Sequence, residues 1–375
     1  MLTKFLSDFT DAKGVALWIA LDIGGTLTKV ICVIPRSLEC QFVDLEDKAT
    51  PLIPTEYVMN SLKIKRGLES YDSSELCVKT YLFSSREIPL LLSNLRRIVT
   101  SYNPTSPPHI RVTGGGALNY AEVIKEELGV SIDKVEEMTS LISGLSFFLG
   151  LPNCSFRYNV ESGTTEPEVV DNVYPLLLVN IGSGVSIIRV DSNDHYRRVS
   201  GTAVGGGTAL GLAKLLIGCE SFDELIDLSL KGNAGLADVS VGELLGDDNR
   251  RRSSWFKNQM IDKETLAVSL GKLSKQDHQA QREDVAQAIL RMVSYNVGYV
   301  AYLIAKRENI QRIFFSGKFV HKHPPAMEAI AHAVEFYRRG CDDDEDASHS
   351  IERPLDASFL YHEGFLGAAG ALIIS

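Results

Sequence analysis

The sequence predicts an α/β protein of two domains, each with a hairpin of two apolar strands joined by a glycine turn. The first hairpin covers residues 17–33 and the second covers residues 176–190. Two such hairpins indicate an internal structural repeat. A chain of 375 residues is long enough for two hydrophobic cores. A polar stretch at 157–173 marks the boundary, so we expect domains at 1–165 and 166–375.

The composition is typical of a soluble globular protein, with 45% hydrophobic and 23% charged residues. The net charge of −10 argues against a nucleic-acid partner, because a duplex-binding surface carries a basic excess. No uninterrupted apolar stretch reaches the ~20 residues of a membrane-spanning helix, and the N-terminus lacks the order of a signal peptide. The six cysteines are scattered without a CxxC pair, which favours reduced thiols, a cytoplasmic location and no zinc site.

The turn of the first hairpin combines an acid with paired glycines. Asp22 ends the apolar run, and Gly24, Gly25, Thr26 and Lys29 follow it. Paired glycines leave backbone N–H groups uncovered, as a phosphate-binding loop requires. A carboxylate beside a phosphate needs a divalent metal or a metal-bound water between them. An ordinary hairpin with a turn-forming aspartate is the alternative, and the turn alone does not decide between the two.

A strand, a glycine turn and a helix follow later in the first half. The strand at 109–113 leads into Gly114, Gly115 and Gly116, and a helix is expected at 118–128. This order brings backbone donors to a helix N-terminus, which suits an anion. Close packing of the helix on the strand is the alternative reason for the glycines.

Helical spacing is also predicted over residues 132–149, a segment with adjacent acids at Glu136 and Glu137. Adjacent acids in a first helical turn usually complement the helix dipole. From the sequence pattern alone, Glu136 and Glu137 therefore have no role beyond complementing the helix dipole.

The second half places arginines and glycines beside its hairpin. Arg197 and Arg198 precede a glycine run at 205–207 and a helix expected at 209–216. The arginines could neutralise an anionic ligand or lie in solvent. The longest predicted helix is 283–307, and its broad apolar face suits a core or a partner subunit.

A last strand ends at Ser316 and Gly317, and a helix of small residues closes the chain at 363–372. The patterns of a P-loop kinase, a dinucleotide-binding strand turn and an esterase elbow are absent from the sequence. The remaining pattern is two domains, each with a glycine hairpin that could bind phosphate, and the glycine turn near the C-terminus that could bind adenosine. This order resembles the actin, Hsp70 and sugar-kinase class of ATP-binding folds, that is, an actin-like ATPase fold.

Seven segments resemble eukaryotic-type (type II) pantothenate kinases, in the order in which that family has them. They are residues 21–29, 113–117, 174–186, 198–208, 218–222, 316–319 and 362–370. The resemblance implies that ATP phosphorylates the primary hydroxyl of pantothenate. The product is 4'-phosphopantothenate, and the reaction is the first step towards coenzyme A.

The resemblance also implies roles for individual residues. Asp22 would hold the Mg²⁺ of ATP, through water, and Glu137 would be the general base. Arg198 would contact the pantothenate-side ligand or acyl-CoA. Val185, Ser186 and Thr202 would add contacts beside that arginine. The residues implied around ATP and its phosphates are Gly24, Gly25, Thr26, Lys29, Gly114, Gly115, Gly182, Ser183, Gly184, Gly206, Gly207, Ser316 and Gly317.

Family members are dimers that bind acyl-CoA in competition with ATP, so the resemblance implies a homodimer and feedback inhibition. Helix 283–307 is the candidate interface. The sequence departs from the family at three places. Ala203-Val204 replaces Ser-Leu, residues 246–258 are shorter and more basic than expected, and residues 342–346 form an acidic insertion.

Two alternatives share the fold. One is a kinase for another hydroxyl, such as that of an amino sugar, but the Asn-Asp and zinc-ligand motifs of sugar kinases are not found. The other is a catalytically silent regulator that binds nucleotide or acyl-CoA. Relatives that have lost the glutamate or the arginine are inactive, so Glu137 and Arg198 favour a working enzyme.

Overall fold

The computed structural model describes residues 17–36, 58, 76–102, 108–168, 173–245, 263–275, 279–321, 323–339, 355–361 and 363–374. The chain divides into two compact units. Unit 1 is Met1–Cys154 with Gly364–Ser375, and unit 2 is Ser155–Glu363. The sequence predictions about residues 246–258 and 342–346 lie outside the described residues.

The described secondary structure contains both strands and α-helices. The strands are β1 (Trp18–Ile23), β2 (Leu27–Pro35), β3 (Leu76–Ser84), β4 (His109–Thr113), β5 (Ile132–Lys134), β6 (Ser155–Asn159), β7 (Thr164–Glu168), β8 (Leu176–Ile181), β9 (Val185–Val190), β10 (Tyr196–Thr202), β11 (Val239–Ser240), β12 (Leu266–Val268), β13 (Arg312–Ser316) and β14 (Asp356–Leu360). The helices are α1 (Ile88–Tyr102), α2 (Ala117–Leu128), α3 (Glu137–Leu149), α4 (Gly206–Ile217), α5 (Phe222–Ser229), α6 (Val241–Leu245), α7 (Arg282–Glu308), α8 (Pro324–Arg339) and α9 (Leu366–Ile373).

Unit 1 contains a five-stranded mixed sheet in the order β3-β2-β1-β4-β5. β1 is antiparallel to β2 and parallel to β4, and β4 is parallel to β5. All six residues of β1 are buried. A central strand covered on both faces is uniformly apolar, which is why its hydrophobic run predicted it.

Unit 2 repeats this order within a sheet of seven strands, β10-β9-β8-β13-β14-β6-β7. β8 and β9 form the antiparallel hairpin, and β13 and β14 continue in parallel from β8. The first five strands therefore correspond one to one with those of unit 1. The predicted α/β class, the two hairpins and the internal repeat are confirmed by these two sheets.

The two units differ in extent from the predicted domains at 1–165 and 166–375. β6 belongs to unit 2 because it pairs with β14, for example Phe156 with Phe359. The C-terminal helix α9 belongs to unit 1, where it packs against α3. No local pattern marks either assignment, since both depend on pairing between distant parts of the chain.

Helix α7 fills the core of unit 2, and it confirms the long helix predicted at 283–307. Ile289, Val293 and Val297 on this helix are fully buried. Among the described residues, α7 is the one helix long and apolar enough to cross a membrane, and 61% of its apolar window is buried. Such burial is typical of the core helix of a soluble protein.

The predicted helix at 132–149 is wrong at its start. Residues 132–134 form the edge strand β5, in which Ile132 pairs with Ile110 of β4. The helix begins at Glu137, after Glu136. A three-residue strand is too short to show a period of its own, so the helical spacing of the following residues extended the prediction backwards.

His323 gives unit 2 a pH-dependent stability. Its ring is fully buried, Nε2 lies 3.1 Å from Ser229 Oγ, and burial lowers its pKa to about 4. The unfolded chain binds the proton near pH 6.5, so stability is complete above that pH and falls as the pH drops towards 4. We expect a loss of about 2 kcal/mol between about pH 7 and about pH 5.

Denaturant unfolding of the wild type and of His323→Gln at both pH values measures this loss. The variant removes the titrating group, so the difference between the two proteins isolates its contribution from that of the carboxylates. An unchanged pH dependence in His323→Gln contradicts the prediction.

Candidate functional site

In unit 1, the acid at the end of β1 faces the lysine of β2. Asp22 and Lys29 are directly paired across the hairpin, and Lys29 Nζ lies 3.2 Å from Asp22 Oδ2. Asp22 is buried, whereas Gly25 and Thr26 at the turn are exposed. The turn therefore offers accessible backbone beside a shielded carboxylate.

A residue that sequence reasoning missed holds this turn in place. Ser85 Oγ donates to the carbonyl oxygen of Gly24 at 2.8 Å, and the Ser85 N–H donates to Thr26 O at 2.8 Å. Ser85 follows β3 and is about sixty residues away along the chain. No local signal in the sequence connects it to the glycine turn.

The glycine turn after β4 packs on the same acid. Gly114 has a φ of +86°, and a Cβ built on it would lie 2.6 Å from Asp22 Oδ1. The N–H of Gly116 donates to Ile23 O at 2.8 Å. A Cβ on Gly115 would meet nothing within 4 Å. Gly114 and Gly116 thus serve close packing, and Gly115 is the member of the turn that a ligand could approach.

The two adjacent acids at the start of α3 have different environments. Glu136 is the N-cap, and its carboxylate accepts hydrogen bonds from the N–H groups of Met138 and Thr139 at 3.0 and 2.7 Å. Burial alone would raise the pKa of Glu136, but the hydrogen bonds from Thr139 and Met138 leave it below its usual value. Glu137 is the first residue of the helix and is exposed. The carboxylate of Glu136 therefore serves as the helix cap, and Glu137 begins the helix itself.

In unit 2, the glycine run is part of α4, which begins at Gly206, three residues before the predicted start. The N–H of Gly206 donates to Gly182 O and that of Gly207 to Ser183 O, both at 2.9 Å. These two donors are engaged by the hairpin and are not directed at a ligand. Gly182, Ser183 and Gly184 themselves are exposed.

The predicted adenosine turn lies beside the end of β8. Gly317 has a φ of +104°, and a Cβ on it would overlap the carbonyl oxygen of Ile181. Ser316 is fully buried, and its hydroxyl lies 3.3 Å from Asn180 Oδ1. Both residues join β13 to β8, and both are buried.

The predicted substrate residues lie together on β9 and β10. Val185 is paired with Thr202, and Ser186 is paired with Gly201. Val185 faces the core, while Ser186 and Thr202 are partly exposed. The ladder shifts register between Arg198 and Ser200, which marks a β-bulge.

The guanidinium of Arg198 lies over Gly201, the glycine of the β9–β10 strand pair. A Cβ built on Gly201 would lie 2.7 Å from Arg198 Nη2. Arg198 is exposed, and so is its neighbour Arg197, which forms an ion pair with Glu308 at 2.5 Å. Sequence alone could not separate the two arginines, whereas within the described residues only Arg197 of the two forms an ion pair.

A cavity of about 470 Å³ in unit 2 contains none of the predicted site residues. Asp238 and Arg291 line it, and burial raises the pKa of Asp238. Arg291 Nη1 lies 3.6 Å from Asp238 Oδ2. The cavity is therefore separate from the residues to which the family resemblance gives roles.

The described residues contain no cluster of three or more His, Cys, Asp or Glu side chains that could hold a metal. A single carboxylate such as Asp22 nevertheless fits Mg²⁺, which keeps several waters and is bound through one or two carboxylates plus the phosphates of its nucleotide.

Comparison with known proteins gives one family. The model of the family described as Fumble matches residues 18–374. Pantothenate kinase 1 of Arabidopsis thaliana is 37% identical over 363 residues, which cover 94% of this chain and 84% of that protein. The mouse protein named 4'-phosphopantetheine phosphatase is 35% identical over 271 residues, which cover 70% of this chain and 30% of that protein.

Among solved structures, the glucokinase of Balamuthia mandrillaris in complex with glucose is 10% identical to this chain. Its TM-score is 0.46, and the alignment covers 100% of this chain and 97% of the glucokinase.

Proposed function

We propose that this chain, which belongs to the Fumble family, is an ATP-dependent pantothenate kinase. It would transfer the γ-phosphate of ATP to the primary hydroxyl of pantothenate, giving 4'-phosphopantothenate and ADP. The observation that carries this proposal is the position of Glu137, an exposed carboxylate at the first residue of α3. A reactive carboxylate needs to be accessible to the hydroxyl whose proton it takes.

Further residues in each unit would take part in phosphate transfer. In unit 1, Asp22 would hold Mg²⁺, which when bound neutralises charge on the phosphates. Lys29 adds a positive charge beside the exposed turn at Gly25 and Thr26. In unit 2, the exposed turn at 182–184 would contribute to phosphate binding, although the N–H of Gly182 itself donates to Gly184 O at 2.9 Å.

Arg198 would orient the pantothenate carboxylate or amide groups. Its guanidinium is exposed and lies over Gly201, next to the partly exposed Ser186. Arginine presents several donors in a planar fork, so it suits an anionic ligand. Glu137 then accepts the hydroxyl proton as the phosphoryl group arrives.

Incubation of the purified protein with Mg-ATP and a panel of acceptors tests the proposal. We expect phosphorylation of pantothenate, detected as 4'-phosphopantothenate by mass spectrometry, and no product from amino sugars or glucose. Phosphorylation of a sugar in preference to pantothenate contradicts the proposed substrate. A folded protein that binds ATP without making any product contradicts the proposed activity.

A second candidate function is a silent regulator that binds nucleotide or acyl-CoA. One observation bears on it: the chain is similar to a mouse protein whose name is that of a phosphatase and not of a kinase. Membership of the family therefore does not by itself establish kinase activity. Nucleotide or acyl-CoA binding in the absence of turnover would support this function.

Dimerisation and feedback inhibition by acyl-CoA are further parts of the proposal. Most of α7 is buried in unit 2, and the large apolar side chains that the helix exposes to a partner are Tyr299 and Leu303. Tyr299 stacks on Tyr337 with ring centroids 4.1 Å apart. A second copy would cover this aromatic patch, and sedimentation of the wild type and Leu303→Glu tests it.

We also propose a cytoplasmic location. Cys32 and Cys219 are buried, and burial raises the pKa of both thiols. Such thiols are poor nucleophiles and suit a reducing compartment.

A further inference from the structure

The C-terminal helix α9 packs directly on the carboxylate of Asp22. A Cβ built on Gly367 would lie 2.7 Å from Asp22 Oδ2. On the other side, a Cβ on Gly114 would lie 2.6 Å from Asp22 Oδ1. The carboxylate is therefore held between two glycine backbones. Lys29 is its ion-pair partner in the described part of unit 1.

The same helix packs equally closely on α3. A Cβ on Gly370 would overlap the carbonyl oxygen of Ser140, and a Cβ on Gly144 would overlap that of Leu366. Ser140 lies one turn after the first residue of α3, which is Glu137. The backbones of α9 and α3 thus touch at two points without any side chain between them.

The far end of α9 is fixed by an arginine of β4. Arg111 Nη1 donates to Ala371 O at 3.1 Å and also to Ile374 O. These carbonyl oxygens lie at the C-terminal end of α9, where the last C=O groups of a helix receive no hydrogen bond from within the helix. Asp133 lies 3.7 Å from Arg111 and holds the guanidinium in turn. All eight residues of α9 are buried, so the helix has little freedom to shift.

We propose that Gly367 is a positioning residue for Asp22, and that α9 sets the location of Asp22 relative to the first turn of α3. This inference rests on the proposed function, since the roles of Asp22 and Glu137 belong to it. A methyl group at position 367 would meet the carboxylate oxygen and rotate or displace it. Because Lys29 is one flexible side chain, it cannot restore the original orientation against a backbone-fixed methyl group.

Titration of Mg²⁺ into protein with a fluorescent ATP analogue, without pantothenate, tests the inference. In Gly367→Ala we expect the Mg²⁺ concentration for half-maximal nucleotide binding to rise by about 10–100-fold, the usual effect of disturbing a group that orients a metal ligand. Nucleotide binding without Mg²⁺ should change by less than about twofold, because the glycine turns are untouched.

Gly211→Ala is the matched control. Gly211 lies inside helix α4, and a Cβ on it would meet nothing within 4 Å. We expect its Mg²⁺ titration to match that of the wild type. If Gly367→Ala behaves like Gly211→Ala, the positioning role is wrong.

A double variant shows whether the effect passes through Asp22. In the Asp22→Ala background the carboxylate is absent, so adding Gly367→Ala should leave the Mg²⁺ titration unchanged. A further loss of similar size contradicts the inference. Should Gly367→Ala alone fail to fold, recovery of folded protein in the double variant supports the contact, and no recovery overturns it.

The wild-type reaction separates this inference from the proposed function. Failure of the wild type to phosphorylate pantothenate contradicts the proposed function, whatever the result of the Mg²⁺ titrations. Normal wild-type turnover together with an unaltered Mg²⁺ titration in Gly367→Ala contradicts only the positioning role of Gly367.

Discussion

Glu137→Gln is expected to slow phosphate transfer to pantothenate by about 10²–10⁴-fold, the range for loss of a general acid–base group. Glutamine keeps the size and hydrogen-bonding shape of the side chain but cannot accept the hydroxyl proton. Residual turnover should remain, because phosphoryl transfer depends strongly on positioning and on charge neutralisation. ATP binding should persist, since the glycine turns and Asp22 are unchanged. Single-turnover kinetics and ATP binding measured on the same sample check both points.

Glu136→Gln is the control that the structure provides. Its carboxylate caps α3 and accepts from the Met138 and Thr139 N–H groups. We expect a loss of up to about 1 kcal/mol in the free energy of unfolding, as for a weakened cap, with turnover changed only a few-fold. A large loss of turnover in Glu136→Gln, with Glu137→Gln still active, would exchange the roles of the two acids.

The sequence could not predict which of the two adjacent glutamates caps α3. Two adjacent glutamates look alike in a sequence, and the predicted helix at 132–149 placed both inside one continuous element. The edge strand β5 moved the helix start to Glu137 and made Glu136 the cap. Only the backbone geometry reveals that one carboxylate is already occupied.

The strands of the two hairpins could be predicted because their cause is local. The residues of β1 and β8 are almost all buried, so each strand appears as an apolar run that ends at a glycine turn. The repeat of five strands then follows from the same pattern in each half. A buried strand requires consecutive apolar residues, and such a run can be recognised in the sequence.

The contacts that fix the site were not predictable because they join distant residues. Ser85 supports the turn at Gly24, and Gly367 lies against Asp22, with no periodic signal in either case. Gly206 and Gly207 are a further case. The family resemblance implies that they lie at the phosphates, and in the structure their N–H groups donate to the hairpin of unit 2. A glycine needed for close packing has the same sequence signature as one needed for a ligand.

Arg198→Ala is expected to raise the KM for pantothenate by about 10–100-fold, since a hydrogen bond to a charged group contributes about 1.5–3 kcal/mol. The KM for ATP should stay within about twofold, because Arg198 lies on β10 with Thr202, beside Ser186 of β9, and not on a glycine turn. Arg198→Lys should recover part of the loss, since lysine keeps the charge but not the planar fork. Steady-state kinetics with each substrate varied in turn check these values.

Arg197→Ala separates a ligand contact from a general effect of positive charge. Arg197 is exposed, adjacent in sequence and paired with Glu308, an ion pair that contributes about 0–1 kcal/mol to stability. We therefore expect its KM for pantothenate to match that of the wild type. If both alanine variants raise this KM equally, the arginines act through the local electric field. Orientation of the ligand by Arg198 requires that the effect be confined to that one side chain.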